Sequence, residues 1–305
     1  MDALKQNELA AKSDLFIFAD APKSEVQAGA VREVREYIRQ IDGFKSVTIV
    51  ERETNFGLAK SIIEGVTSIV NSHGRAIVVE DDLVTSHHFL TYMNQALEKY
   101  ANDERVASIH GYAYPVKGLL PEAFFLRGAD CWGWATWRRS WAYFNPDAQY
   151  LLDELRRQQL LDEFDFNGAY PYSKMLEDQI NGKNDSWAVR WYASTFLANK
   201  LTLYPGRSLV HNIGNDASGT HCGVTAQYDT TLSETPIDLD NIVVERSQES
   251  QRAFNEFLRR PPQYRRQRLV NKLFSINGFG SIKAVAKERM PPAVFKWLRK
   301  MFLGR

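Results

Sequence analysis

The pattern of apolar and polar positions opens with Asp14–Asp20, DLFIFAD, an apolar run closed by an acid, which predicts a buried strand. Residues Ser24–Ile41 place Val26, Ala30, Val34 and Ile38 on one side of a helix. Ser46–Val50 (SVTIV) is β-branched and predicts a second strand. Leu58–Val70 returns to helical spacing through Leu58, Ile62, Val66 and Ile69. Ala76–Val79 (AIVV) predicts a fully buried strand that runs out into Glu80, Asp81 and Asp82. A helix over Phe89–Tyr100 and a strand over Val106–Ile109 follow. Three rounds of strand then helix predict an α/β chain with a mainly parallel, Rossmann-like sheet and right-handed crossovers. After Gly111 the rhythm changes: aromatics crowd up to Trp141, and a polar helical stretch covers Leu151–Phe164. From about Ser247 the chain is basic and helical, interrupted at Pro261-Pro262 and Pro291-Pro292. The chain is expected to divide into an α/β half (1–110), a second half of the same domain (111–246) and a basic C-terminal extension (247–305).

Charge changes this picture more than composition does. The 305 residues are 44% hydrophobic and 25% charged, ordinary for a globular protein that buries its own core. The net charge of +1 conceals an imbalance, because Arg259–Arg305 holds thirteen Lys/Arg against the single acid Glu288. That segment carries +12 and the rest of the chain −11. A basic tail on an acidic body seeks phosphate, on nucleic acid or on anionic lipid. Pro292–Arg305 mixes Val294, Phe295, Trp297, Leu298, Met301 and Phe302 with four basic residues, a composition suited to a helix lying on an anionic membrane surface. Nucleic acid is the weaker partner, because most aromatics and the basic residues fall in different segments. Two cysteines, Cys131 and Cys222, exclude a disulfide scaffold and an all-thiolate metal site built by this chain alone. No apolar run reaches the ~18–20 residues that span a bilayer, and the N-terminus lacks a signal-peptide pattern, so a cytoplasmic protein is expected.

Five segments carry candidate chemistry. Glu80-Asp81-Asp82 lies beyond the carboxyl end of a strand, where open sheets bind ligands. If the chain stays extended, Glu80 and Asp82 point one way, available to Mg²⁺ or Mn²⁺, while Asp81 meets a sugar hydroxyl. The same acids could simply cap a helix. Asn55-Phe56-Gly57-Leu58-Ala59-Lys60 precedes a helix whose N-terminus would attract phosphate, or is a cap with a turn glycine. Cys131–Trp141 contains Trp132, Trp134, Trp137 and Trp141 with Arg138 and Arg139; two tryptophans are expected in a core layer, the others against sugar or base, and the arginines near phosphate. Asp185, next to Trp187, is a candidate general base, in competition with Glu177 and Asp178. His211 and His221, in a polar glycine-containing loop, are candidate metal or phosphate contacts. The chain has no G-x-x-x-x-G-K-[ST], G-x-S-x-G or H-E-x-x-H, which sets aside P-loop, serine-hydrolase and zincin chemistry.

In order, LFIFADAPK, NFGLAKSI, AIVVEDDLVTS, CWGWATWRRSW, DSWAVRW and LVHNIGNDASGTH resemble a GT-A-fold glycosyltransferase, similar to bacterial sugar transferases related to the N-acetylglucosaminyltransferase I group. The resemblance covers about Asp14 to Cys222. It implies an inverting transfer from a nucleotide-sugar, most simply UDP-linked, to a glycan or lipid-linked acceptor. Residues 1–110 would bind the donor and 111–246 the acceptor. Asp82 would hold Mn²⁺ or Mg²⁺, joined by His221. Glu80, Asp81, Asn55, Gly57, Lys60 and Trp134 would line the donor pocket, and Asp185 would act as base. The family has two acids where this chain has Asp185-Ser186. Family members begin with a further strand and helix, and Met1–Leu9 resembles the end of that helix, so the first βα unit is expected to be absent. A catalytically degenerate carbohydrate- or nucleotide-binding protein is the alternative.

Overall fold

The computed structural model describes residues 1–216 and 225–259. The helices are α1 (Asp2–Lys5), α2 (Ala28–Ile38), α3 (Gly57–His73), α4 (Phe89–Lys99), α5 (Arg138–Trp141), α6 (Ala148–Arg157), α7 (Leu161–Phe164), α8 (Tyr172–Ile180), α9 (Trp187–Leu197) and α10 (Gln248–Leu258). The strands are β1 (Asp14–Ala19), β2 (Ser46–Glu51), β3 (Arg75–Val78), β4 (Leu83–Thr85), β5 (Val106–His110), β6 (Ala123–Arg127), β7 (Trp134–Trp137), β8 (Leu201–Pro205) and β9 (Val210–Asn212). Residues 1–213 with 229–259 form one compact unit, which contains all of these elements. Residues 214–228 belong to a second unit, whose described residues, 214–216 and 225–228, include a 3₁₀ turn over Gly214–Asp216 and a bond from Thr225 N to Asn215 O of 3.0 Å.

The α/β class holds, but the sheet is not mainly parallel. Its central five strands run in the order β3-β7-β5-β8-β6. Only β5 and β8 pair in parallel; β3/β7, β7/β5 and β8/β6 are antiparallel. β3 and β5 do point the same way, as the strand–helix alternation predicts. Between them sits β7, whose residues WATW are fully buried. Alternation specifies which segments are strands and which way they run; it does not specify the neighbour, and β7 arrives from later in the chain. β1 and β2 form a separate parallel pair, Asp14 opposite Ser46 through Ala19 opposite Glu51. The outer edges of β1 and β3 carry no strand among the described residues.

Trp134 and Trp137, three apart on β7, face opposite sides of the sheet. Trp134 packs with Trp141, Trp187 and Trp191 against Ala59, Val66 and Val70 of α3. Trp137 turns toward α4 and donates from Nε1 to Leu97 O at 3.1 Å. Thus α3 and α9 cover one face and α4 the other, with Phe89, Tyr92, Met93, Ala96 and Leu97 of α4 buried. Helix α3 ends where Gly74 takes a left-handed conformation (φ +80°) and donates to Val70 O at 2.9 Å, a conformation glycine adopts at no steric cost. Helix α10 packs Phe254 edge-on to Phe124 of β6, at 5.6 Å between ring centres.

One helix keeps only the end of its expected inward face, Ile38, buried. In α2 and the turn before it, Val26 is 94% and Val34 56% exposed. Arg35 points inward instead, and its Nη2 donates to Asp20 O at 3.2 Å and Arg52 O at 2.7 Å. The carbonyls at the ends of β1 and β2 need donors, and a guanidinium on the inward face supplies them. Among the described residues no helix is long and apolar enough to cross a membrane. His221, Cys222 and the basic segment 260–305 lie outside the described residues.

Candidate active site at the acidic turn

The site is built at the carboxyl end of β3. Beyond Val78 the chain does not stay extended: Leu83 N donates to Glu80 O at 3.3 Å, so residues 80–83 form a turn and the expected alternation of the three acids is lost. Aspartates suit such turns, and the reversal feeds β4. β4 pairs with β9, placing Leu83 opposite Asn212. Ile213 N donates to Asp82 O at 2.8 Å, and Asn212 Nδ2 donates to Asp82 Oδ2 at 3.3 Å. Asp81 is exposed, while Glu80 and Asp82 are partly buried. Burial, then the charges of Asp82 and Asp81, push the Glu80 carboxyl up to about 7. Burial and Asp81 likewise raise Asp82, opposed by the Asn212 hydrogen bond. Among the described residues no Lys or Arg forms an ion pair with any of the three.

The segment before β7 closes on the same end of the sheet. Gly111 N donates to Gly133 O at 2.7 Å, joining the exit of β5 to the entrance of β7. Gly133 has φ +65°, and a Cβ there would lie 2.7 Å from Val210 Cγ2, so the glycine between Trp132 and Trp134 lets three chain segments meet. Cys131 is a free thiol; burial, followed by the charges of Asp130 and Glu80, pushes its pKa well up. Asp130 Oδ2 accepts from Tyr114 Oη at 3.3 Å and lies 3.7 Å from Nε2 of His110. His110 is fully buried, and among the described residues neither ring nitrogen is hydrogen-bonded; burial lowers its pKa against the pull of Asp130. No sequence signal marks Asp130, and His110 is marked only by following the predicted strand Val106–Ile109.

The other predicted positions sort differently. Asn55 and Gly57 are committed to Asp20, the acid that closes β1. Its carboxylate accepts from Asn55 Nδ2 at 3.0 Å, Phe56 N at 2.8 Å and Gly57 N at 2.8 Å. The start of α3 is therefore already filled by a side-chain anion where a ligand phosphate was expected. Lys60 lies 3.9 Å over the Phe56 ring and 3.7 Å from Glu64. Trp134 is fully buried and stacked on Trp187 at 5.3 Å, so it cannot lie against a ligand. Trp137 and Trp141 are buried too, which makes three core tryptophans of the four; Trp132 keeps some exposed surface. Arg139 donates to Tyr100 O, Ala101 O and Val106 O at 2.8–2.9 Å, so it serves backbone carbonyls and not phosphate.

Asp185 sits just before α9 with its side chain 71% exposed, and Arg190 Nη2 donates to its Oδ1 at 3.0 Å. It is not desolvated, as a base beside Trp187 was expected to be. Glu177 pairs with Arg156 at 3.2 Å and Lys174 at 3.3 Å, and Asp178 with Lys174 at 2.9 Å and Lys183 at 3.4 Å. Hydrogen bonding to Lys174 holds Asp178 below the usual carboxylate range. His211 Nδ1 accepts from Thr230 N at 3.4 Å.

The acidic turn offers hard oxygen donors that have no cationic partner among the described residues, which fits a divalent ion. Among the described residues no three His, Cys, Asp or Glu side chains converge as a cage for one. A cation there would rest on one or two carboxylates, with water and ligand oxygens completing its shell, the usual arrangement for Mg²⁺. In comparisons with known proteins, no family model and no curated protein matches the sequence.

Proposed function

We propose that the protein is an inverting glycosyltransferase that uses a nucleotide-linked sugar, most simply a UDP-sugar, and a glycan or lipid-linked acceptor. The observation that carries this reading is the acidic turn after β3, three adjacent carboxylates with no basic partner among the described residues and with the Glu80 carboxyl pushed up to about 7. Such a group is costly until something positive joins it. Asp82, steadied by Asn212, would hold Mn²⁺ or Mg²⁺, and the ion, when bound, neutralises charge on a departing diphosphate. Glu80 and Asp81 remain to accept hydrogen bonds from donor hydroxyls. Asp185, open to solvent on Oδ2 and held by the buried Arg190, would take the proton of the attacking hydroxyl. Glu177 and Asp178 are each tied to two cations and have less freedom for that role. Trp132 would offer a ring to a sugar. The second reading, a binding protein without catalysis, is favoured by Asp20 occupying the helix start that would otherwise take phosphate.

Calorimetric titration with UDP, with and without Mn²⁺, tests the proposal, followed by a donor screen read by UDP release. Mn²⁺-dependent UDP binding is expected, and Asp82→Ala is expected to abolish it. Binding that persists unchanged in Asp82→Ala would end the metal assignment. Asp185→Asn should leave UDP binding intact and slow turnover by ~10²–10⁴, the range for losing a general base. UDP binding without any turnover would select the non-catalytic reading.

A further inference from the structure

A second concentration of charge lies at the opposite end of the central sheet. β5 begins just after Arg105, β8 begins at Leu201, and β6, antiparallel to β8, ends on Arg127. β3 and β5 are each antiparallel to β7 and so run the same way, which puts the acidic turn at the other end of the strands. Arg105, Arg127, Asn199, Leu201 and Arg246 line a cavity of about 270 Å³.

Three guanidinium groups thus share one small space, and their counter-charges fall short. Asp103 accepts from Arg105 Nε at 2.9 Å and Nη2 at 2.6 Å, neutralising it. Arg127 and Arg246 divide a single carboxylate: Arg127 Nη1 donates to Glu163 Oε2 at 3.1 Å, and Arg246 Nη1 donates to Glu163 Oε1. One positive charge is left over within this group. Donors are left over too. Among the described residues Arg246 Nε is buried without a hydrogen-bond partner, Arg246 Nη2 has only a long bond of 3.5 Å to Gln251 Oε1, and Arg127 Nη2 makes no hydrogen bond. Arg127 is held in place, with Nε donating to Phe196 O at 3.1 Å and its guanidinium carbon 4.0 Å from the centre of the Phe196 ring. Fixed, planar donors with surplus positive charge match the oxygens of a phosphate group. The volume is just below the ~300–1,000 Å³ of ordinary ligand pockets, which suits a small ester and not a dinucleotide.

We propose that this cavity binds the phosphate group of a small phosphate ester through Arg127 and Arg246, at a site separate from the acidic turn. Titration calorimetry of the full chain in chloride buffer, with inorganic phosphate and with glucose 1-phosphate as probes, tests it. A dissociation constant on the order of 1 mM for inorganic phosphate, and roughly tenfold tighter for the ester, is expected. Arg246→Gln should weaken binding of both probes about tenfold or more. Glu163→Gln guards against a variant that merely damages the fold. It removes the carboxylate that competes for both guanidinium groups, and should tighten binding about threefold or more, the opposite sign from damage. No binding of either probe to the wild-type chain would overturn the site, as would affinities unchanged in both variants. Binding lost in Asp82→Ala would move the phosphate to the acidic turn and overturn it equally. Equal affinity for the two probes would overturn the assignment to an ester.

Discussion

Glu80 keeps its proton to about pH 7 because burial and the charges of Asp82 and Asp81 oppose its ionisation. In the unfolded chain the same carboxyl titrates near 4.5. Below pH 4.5 both states hold the proton and Glu80 has no effect on stability. Between 4.5 and 7 the folded state binds more protons, so stability falls as pH rises, and the full cost is reached above 7. At 1.36 kcal/mol per pKa unit that cost is about 3 kcal/mol in the metal-free protein. Urea unfolding at pH 5 and pH 8 should therefore show a loss that Glu80→Gln removes; an unchanged loss in the variant would show that other groups cause it. The acids themselves were plain in the sequence. Their partners were not, because Asn212 is 130 residues from Asp82 and reaches it only through the pairing of β4 with β9.

At the scale of elements, β1 and α3 are coupled by one carboxylate. Asp20 accepts from the side chain of Asn55, which also donates to Ala21 O, and from the backbone amides of Phe56 and Gly57, two donors that the start of α3 would otherwise leave unsatisfied. Asp20→Ala should cost about 2 kcal/mol, the upper end of the range for a lost cap, seen as a lower urea midpoint at unchanged m-value. A loss under ~0.5 kcal/mol would mean that water replaces the cap. The sequence marked Asp20 as the end of a strand and Gly57 as a turn glycine just before a helix. That the first caps the second is a long-range fact, set by the parallel register of β1 with β2. Helix α2 shows the same division. Its period is legible, but Val26 and Val34 face solvent while Arg35 faces in. Periodicity fixes the spacing of a face; the carbonyls waiting beneath decide which face turns inward.

For the whole molecule, the tryptophans hold the layers together. Trp134, Trp141, Trp187 and Trp191 join β7, α5 and α9 to α3 on one side of the sheet. Trp134→Ala should cost about 3–5 kcal/mol, as large aromatic truncations in cores do, and leave UDP affinity per folded molecule unchanged. A large change in affinity with little loss of stability would return Trp134 to the binding surface. By itself the sequence determined the strands and helices of the first 110 residues, the α/β class and the position of the acidic trio after a strand, while β4 and β6 to β9 carried no clear local signal. Those features depend on local spacing and on side-chain chemistry, which a linear string carries in full. Tertiary structure alone decided that β7 separates β3 from β5, that the trio turns, that Asp20 fills the helix start, and that three arginines from distant segments share a cavity. Each of these depends on which segments become neighbours, and that choice is made by packing and hydrogen bonding between residues far apart in the chain.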